Sequence, residues 1–408
     1  MNSVYKISIN NIRNFLIFFL LIGTTFFFNN LFFMNNSLLG FEYIAIYIFY
    51  SLFLLHISIF ILNLSHIKNK IFLVFIFYKV PLSILMLYFI IHKWDGGDLP
   101  TYYYYVVNSL KQEELCLNYF GNVHVIQYFN YLIFHILPNS LYGMILIYAL
   151  ISMLSYLLIY KLYKDYSFNS NLLFIVLLML PIITFQSSFF GKDAYILIFV
   201  SLIFLSFDYL CQNKIISIKK FIYILLFLLC LYFIYLIRSY QAAMIICALY
   251  MTFISRNKSF FIVGLLSGLI ISFFLIHIII SKFLGHVGFN GLNIADALSV
   301  IYQGGSLMLE PFVIPFHMLQ IFRPFPWEAN SIFMFIVSIE NAIILSLIVF
   351  LAIKNFRKII IRIRTNKLYT FLFFYVLINL FIFSFNPNMG DLTRREIYFI
   401  PFLLVLLV

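Results

Sequence analysis

Five points along this chain place arginine, lysine or aspartate beside glycine, proline and aromatic residues. Trp94-Asp95-Gly96-Gly97-Asp98 is followed by four tyrosines, Tyr102 to Tyr105. Gly191-Lys192-Asp193 opens an apolar run, and Arg238 separates two others. Arg323-Pro324-Phe325-Pro326-Trp327-Glu328 forms a fourth group, and Asn388 to Glu396, with Asp391, Arg394 and Arg395, forms the fifth. Arginine suits phosphate oxygens because its planar guanidinium donates two parallel hydrogen bonds. Arg238, Arg323, Arg394 and Arg395, supplemented by Lys192, therefore make a candidate diphosphate-binding set. A diphosphate whose charge is neutralised is a good leaving group. Asp95 or Asp98 fits a general base towards a hydroxyl acceptor, a role that needs one placed carboxylate. Arg323 and Glu328 complete the candidate catalytic residues. Trp94, Tyr103, Tyr104 and Trp327 can stack on sugar rings.

Each feature also has a plainer reading. Trp and Tyr gather at membrane interfaces whatever the function. Asp95 to Asp98 fits a turn, since Gly and Asp favour turns. Arg323–Glu328 and Lys192–Asp193 can be ion pairs that tie loops to helices.

What positions these residues follows from composition. The chain has 408 residues, 64% hydrophobic and only 10% charged, with a mean hydropathy of +1.05. Soluble domains are about 45–50% apolar and about 25% charged. A soluble fold and a disordered chain are both excluded. Long continuous apolar runs exclude a β-barrel, whose strands alternate. The expected fold is all-α: a polytopic membrane helical bundle forming a single domain, 1–408. Apolar runs at 14–33, 43–64, 71–92, 141–163, 170–187, 192–212, 221–237, 240–255, 259–283, 331–353, 368–385 and 396–408 give about twelve spans. The first run lacks a small-residue cleavage site and is read as a retained span.

The Lys/Arg bias sets the orientation. With the N-terminus in the cytoplasm, 17 of the 26 basic residues fall inside, eight fall outside and Lys79 lies within a span. A basic cytoplasmic loop at 354–367 dominates that count. Two large outer loops follow, 93–140 and 284–330, with short helices. Residues 123–137 are apolar, yet a full span there would invert every later loop. A re-entrant or interfacial helix fits better. All five polar groups then fall on the outer face, where basic residues are disfavoured and need a reason.

The net charge of +12 has no basic soluble domain to carry it, so a nucleic-acid partner is not expected. Cys116, Cys211, Cys230 and Cys247 have no metal or disulfide spacing. The eight histidines have no paired ligand spacing, and no phosphate-binding loop or dinucleotide fingerprint occurs. Neither metal nor cofactor is expected. Glu340 lies within a span, with Lys79 as its possible partner, and reads as a packing device.

The stretches SSFFGKDAYILI, LIRSYQAAM, FRPFPWEANSIF and GDLTRREIYFIP, on a twelve-span chain with two large outer loops, resemble bacterial O-antigen polymerases and related oligosaccharide repeat-unit polymerases. The resemblance implies a multi-pass enzyme of the bacterial inner membrane. Such an enzyme moves a growing glycan from undecaprenyl diphosphate to an incoming lipid-linked repeat unit at the periplasmic face. It implies function for outer-face arginines, here Arg238, Arg323, Arg394 and Arg395. The implied partners are the undecaprenyl-diphosphate-linked oligosaccharide, membrane lipid and a polysaccharide chain-length regulator. The alternatives are another lipid-linked glycosyltransferase, such as an O-antigen ligase, and a flippase or transporter, which would line the bundle with charge at mid-depth.

Overall fold

The computed structural model describes residues 43–93, 102, 103, 106, 107, 124–164, 178, 187, 188, 191–212, 218–255, 319, 321–329, 332–384 and 389–407. These are predominantly helical, and no strand occurs among the described residues. Helix α1 spans Ile44–Ile61. A second rod is built from α2 (Lys68–Val74), a π turn (Phe75–Lys79) and α3 (Val80–Lys93). Then come α4 (His124–Ile136), α5 (Leu141–Lys164), α6 (Lys192–Gln212), α7 (Ile218–Ile237) and α8 (Ser239–Ile254). The last three are α9 (Ile332–Thr365), α10 (Lys367–Ser384) and α11 (Met389–Leu407).

Six of these are long and apolar enough to cross a membrane: α1, α5, α6, α7, α9 and α10. The protein is a membrane-embedded helical bundle. The expected runs at 14–33 and 259–283, and most of 170–187, lie outside the described residues. Helix α4 has 13 residues, about 20 Å at 1.5 Å per residue. That is shorter than the roughly 30 Å hydrocarbon core, and it matches the short helix expected at 123–137.

Burial separates the helices into two kinds. The apolar windows of α5 and α10 are 83% and 72% buried inside the protein, against 22% for α7 and 28% for α1 and α9. Helices α5, α6, α10 and α11 thus form the centre, and α1, α7 and α9 carry the lipid-facing surface. Phe204 of α6 anchors that centre, with its ring 4.8 Å from those of Phe371 and Phe402 and 5.1 Å from Tyr375. Aromatic pairs at such distances add packing energy beyond their buried area.

Helix ends follow local chemistry. The Ser140 hydroxyl accepts the Gly143 N–H at 3.0 Å and caps α5. Asn366 accepts the Leu368 N–H at 2.8 Å and separates α9 from α10. Residues 354–365, expected as a loop, are instead the last three turns of α9. Lys and Arg lower the hydropathy there, yet both are good helix formers. Helix α11 likewise begins at Met389, before the apolar run expected at 396.

Candidate functional site

Three helix ends converge on one carboxylate. Asp193 is the second residue of α6 and is fully buried. Gly191 precedes it with φ 152°, a conformation open to glycine and strained for other residues. That turn sets where α6 begins and where Asp193 points. Arg238 is the one residue between α7 and α8, held extended at φ −148°. Arg394 and Tyr398 lie one turn apart on α11.

Their bonds leave neither oxygen of Asp193 idle. Arg238 Nη2 donates to Oδ1 at 2.8 Å, and the Tyr398 hydroxyl donates to the same oxygen. Arg394 donates to Oδ2 from both Nε and Nη2, at 3.1 and 3.0 Å. Charge-assisted bonds of this kind are about twice as strong as neutral ones. One carboxylate between two guanidiniums leaves the trio with a net positive charge.

Tyrosine and phenylalanine side chains contact the arginines in turn. Arg238 Nη1 donates to the Tyr240 hydroxyl at 2.6 Å, and its guanidinium lies 5.3 Å from the Tyr398 ring. Arg395 sits over Tyr240 and Phe383, at 5.6 and 5.0 Å from the ring centroids. Below them Gln241 Nε2 donates to the Tyr375 hydroxyl at 2.7 Å and to Asn379 Oδ1 at 3.2 Å. Tyr375 donates onward to the Tyr398 carbonyl at 2.9 Å. A polar network linking α8 to α10 and α11 thus lies beside the arginines. The Arg394 side chain keeps 28% of its surface exposed, Arg238 only 11%. Arg394 is the more accessible of the two.

The structure brings together three of the arginines expected to act as a set: Arg238 and Arg394 through Asp193, and Arg395 through Tyr240. Lys192 is half-buried beside Asp193 in sequence. Asp193, Tyr398, Tyr240 and Gln241 were not expected as site residues. An acidic residue next to Lys192 suggests a local pair, whereas the bonds of Asp193 run to residues 45 and 201 positions away.

Arg323 and Glu328 occupy a separate knot against α9. Arg323 is 7% exposed and is ion-paired with Glu328, as expected. The other Glu328 oxygen accepts the Phe325 N–H at 2.8 Å, and Asn341 of α9 donates to the Arg323 carbonyl at 3.1 Å. Trp327 is 79% exposed and stacks on Phe325 at 5.0 Å. Tyr103 is 1% exposed, its hydroxyl donates to Asn139 Oδ1 at 2.9 Å and its ring meets Phe134 edge-on. A ring whose hydroxyl finds an internal partner is stable in the core, so Tyr103 does not stack on a glycan. Trp94, Asp95, Asp98 and Tyr104 lie outside the described residues.

A third polar cluster lies inside the bundle. Lys79, 1% exposed at the end of the π turn, donates to Ser152 and Ser187 hydroxyls at 2.9 Å each. Ser152 donates to Ser187 at 2.7 Å. Glu340 is buried within electrostatic range of Tyr78, Tyr156 and Glu396. Glu396, expected at the outer surface, is fully buried instead because α11 carries it inward. Among the described residues no group of His, Cys, Asp and Glu could hold a metal ion.

No protein-family model matches this chain, and no curated protein or solved structure is significantly similar to it.

Proposed function

We propose that the protein is a glycosyltransferase that joins undecaprenyl-diphosphate-linked oligosaccharide repeat units at the periplasmic face of the bacterial inner membrane, as an O-antigen polymerase does. The observation that carries this reading is the pairing of Arg238 and Arg394 on the buried Asp193, with Arg395 stacked beside them. Fixed positive charge aimed at a leaving group is commonly the largest catalytic contribution. Arg394 and Arg395 bind the donor diphosphate, and Asp193 and Arg238 position them. Lys192 adds charge at the rim. As the glycosidic carbon bonds to the acceptor oxygen, its bond to the diphosphate breaks. The negative charge then collects on phosphate oxygens facing the guanidiniums. Asp95 or Asp98 takes the acceptor proton, and Trp327 stacks on the glycan. The energy lies in the glycosyl-diphosphate bond, so no nucleotide is needed.

The test is the polysaccharide ladder of a deletion strain complemented by variants. Wild type restores a full ladder. Arg394→Ala, present in the membrane at wild-type level, leaves a single-repeat band. A full ladder from Arg394→Ala overturns the reading. Accumulation of long polymer on the lipid carrier would identify a ligase instead.

One observation favours a second reading, a carrier for a lipid-linked sugar. Lys79, Glu340 and Glu396 are charged side chains buried inside the bundle. A carrier would lose transport of the lipid-linked unit in Glu396→Gln, with single units accumulating on the cytoplasmic side. A polymerase with that substitution would still receive its units outside.

A further inference from the structure

Helix α9 is longer than a membrane crossing requires. Its 34 residues run about 50 Å, against a hydrocarbon core of roughly 30 Å. Helix α10 follows after one residue, Asn366, and has 18 residues, about 27 Å. It needs nearly all of that length to cross, so its first residue, Lys367, stands at the membrane boundary. The last turns of α9 end beside it and are held at the same boundary. Asn355 fastens them to the Leu407 carbonyl at the end of α11, and the Thr370 hydroxyl of α10 donates to the Ile363 carbonyl at 2.6 Å.

Five basic side chains are exposed along this stretch: Lys354, Arg357, Lys358, Arg364 and Lys367. None of the five has an acidic partner among the described residues. Exposed apolar side chains stand between them, Ile353, Phe356 and Ile361, with Phe356 65% exposed. Ile353, Arg357, Ile361 and Arg364 recur at steps of three and four, which place them on one helix face. Charge that only orients a chain in the membrane needs neither a helix nor apolar neighbours. Here both are present. Long basic side chains lay their stems on apolar surface and send their heads to polar groups. A face that mixes them with apolar residues suits the layer where phosphates and the first acyl carbons meet. Basic clusters of this size beside a membrane helix are suited to anionic lipids.

We infer that the last three turns of α9 bind anionic phospholipid head groups at the membrane boundary, with Phe356 and Ile361 set among the upper acyl carbons. Lys354 and Lys358 are four residues apart, which puts their Cβ atoms about 5–6 Å from one another, so two ammonium groups can hold one phosphate. An acidic protein segment would match the charges but leave Ile353, Phe356 and Ile361 to be covered separately. The bilayer supplies both chemistries at the depth where α10 fixes this segment. The inference does not rest on the reaction proposed for the arginine cluster.

The experiment titrates the full chain, purified in detergent, with phosphatidylglycerol, with phosphatidylcholine of the same acyl chains, and with inorganic phosphate. Native mass spectrometry reads bound lipid, and thermal unfolding reads Tm. Phosphatidylglycerol alone should stay bound and raise Tm. A basic side chain near an anionic surface is worth about 1 kcal/mol, so Lys354→Gln with Lys358→Gln should weaken that binding about thirty-fold. Lys354→Arg with Lys358→Arg should keep it. Phe356→Ser should weaken it as well, because the ring then leaves the acyl layer. Lys70 and Lys219 are exposed lysines on two other helices, α2 and α7. Lys70→Gln with Lys219→Gln should leave binding nearly unchanged. Equal effects of both lipids, an equal effect of phosphate alone, full binding by the double Gln variant or by Phe356→Ser, or an equal loss from the Lys70 and Lys219 changes would each overturn the assignment. Stronger protection by soluble polyglutamate than by phosphatidylglycerol would overturn it too, in favour of an acidic protein segment.

Discussion

Asp193 and Arg394 stand 201 residues apart and meet through two hydrogen bonds that converge on one carboxylate oxygen. The contact joins the start of α6 to the start of α11, and Arg238 adds the α7–α8 junction on the other oxygen. The position of three helix ends relative to one another thus depends on one carboxylate.

Replacing Asp193 by Asn keeps the shape and removes the charge, leaving Arg238 and Arg394 close together without compensation. Breaking a buried ion pair by losing one partner costs about 3–5 kcal/mol. Thermal unfolding in detergent should show a clear fall in Tm for Asp193→Asn. A smaller fall is expected for Asp193→Asn combined with Arg394→Gln than for the sum of the two single changes. An unchanged Tm in Asp193→Asn would remove the carboxylate from its structural role.

Arg323 and Glu328 are both largely buried, with 8% and 14% of their side-chain surfaces exposed. They should behave as one unit. Arg323→Ala and Glu328→Ala are expected to lower Tm by similar amounts, and the double variant by no more than the larger single effect. Residues in contact commonly couple by about 0.5–3 kcal/mol. Strict additivity in a double-mutant cycle would mean that the two side chains act separately.

At Gly191 the backbone conformation disfavours a Cβ. Gly191→Ala forces a side chain to φ 152° and should cost about 1–3 kcal/mol. The loss should appear both in Tm and, because this turn aims Asp193, in the polymer assay. A variant with wild-type Tm would show that the start of α6 relaxes freely.

At Gly143 the obstacle is a plain lack of room. A Cβ built there lies 2.2 Å from the Tyr47 ring, whose hydroxyl bonds the Pro138 carbonyl. Gly143→Ala should destabilise the α1–α5 contact by about 1–3 kcal/mol, the usual cost of overpacking. Tyr47→Leu, which removes the ring, should recover part of that loss when combined with it. Failure to recover any would place the strain elsewhere.

Long apolar runs were readable because their signal is local. The run expected at 192–212 is α6 residue for residue, and 141–163 differs from α5 by one residue. The continuation of α9 through Lys354 to Arg364 was not, because hydropathy falls there while helix propensity does not. The gathering of Arg238, Arg394 and Arg395 was legible because each stands at a break between apolar runs. Their hub was not. Asp193 has a basic neighbour in sequence, and nothing local says that its bonds go to α11. Glu396 shows the same limit: three charged residues in a row, Arg394, Arg395 and Glu396, read as surface, yet a helix turns the third one inward.

Helix α9 contains neither glycine nor proline along its 34 residues, and sharp kinks need such a break. It runs about 50 Å as one rod. Near one end Asn341 grips the Arg323 carbonyl, and about 20 Å further on Asn355 donates to the Leu407 carbonyl at 2.9 Å. A stiff rod cannot shift one end and leave the other in place. A load on the basic turns, from membrane curvature or a docking partner, would reach the Arg323–Glu328 knot as tilt. The two ends of the bundle are in this sense geared together, by leverage rather than by any relay of charge.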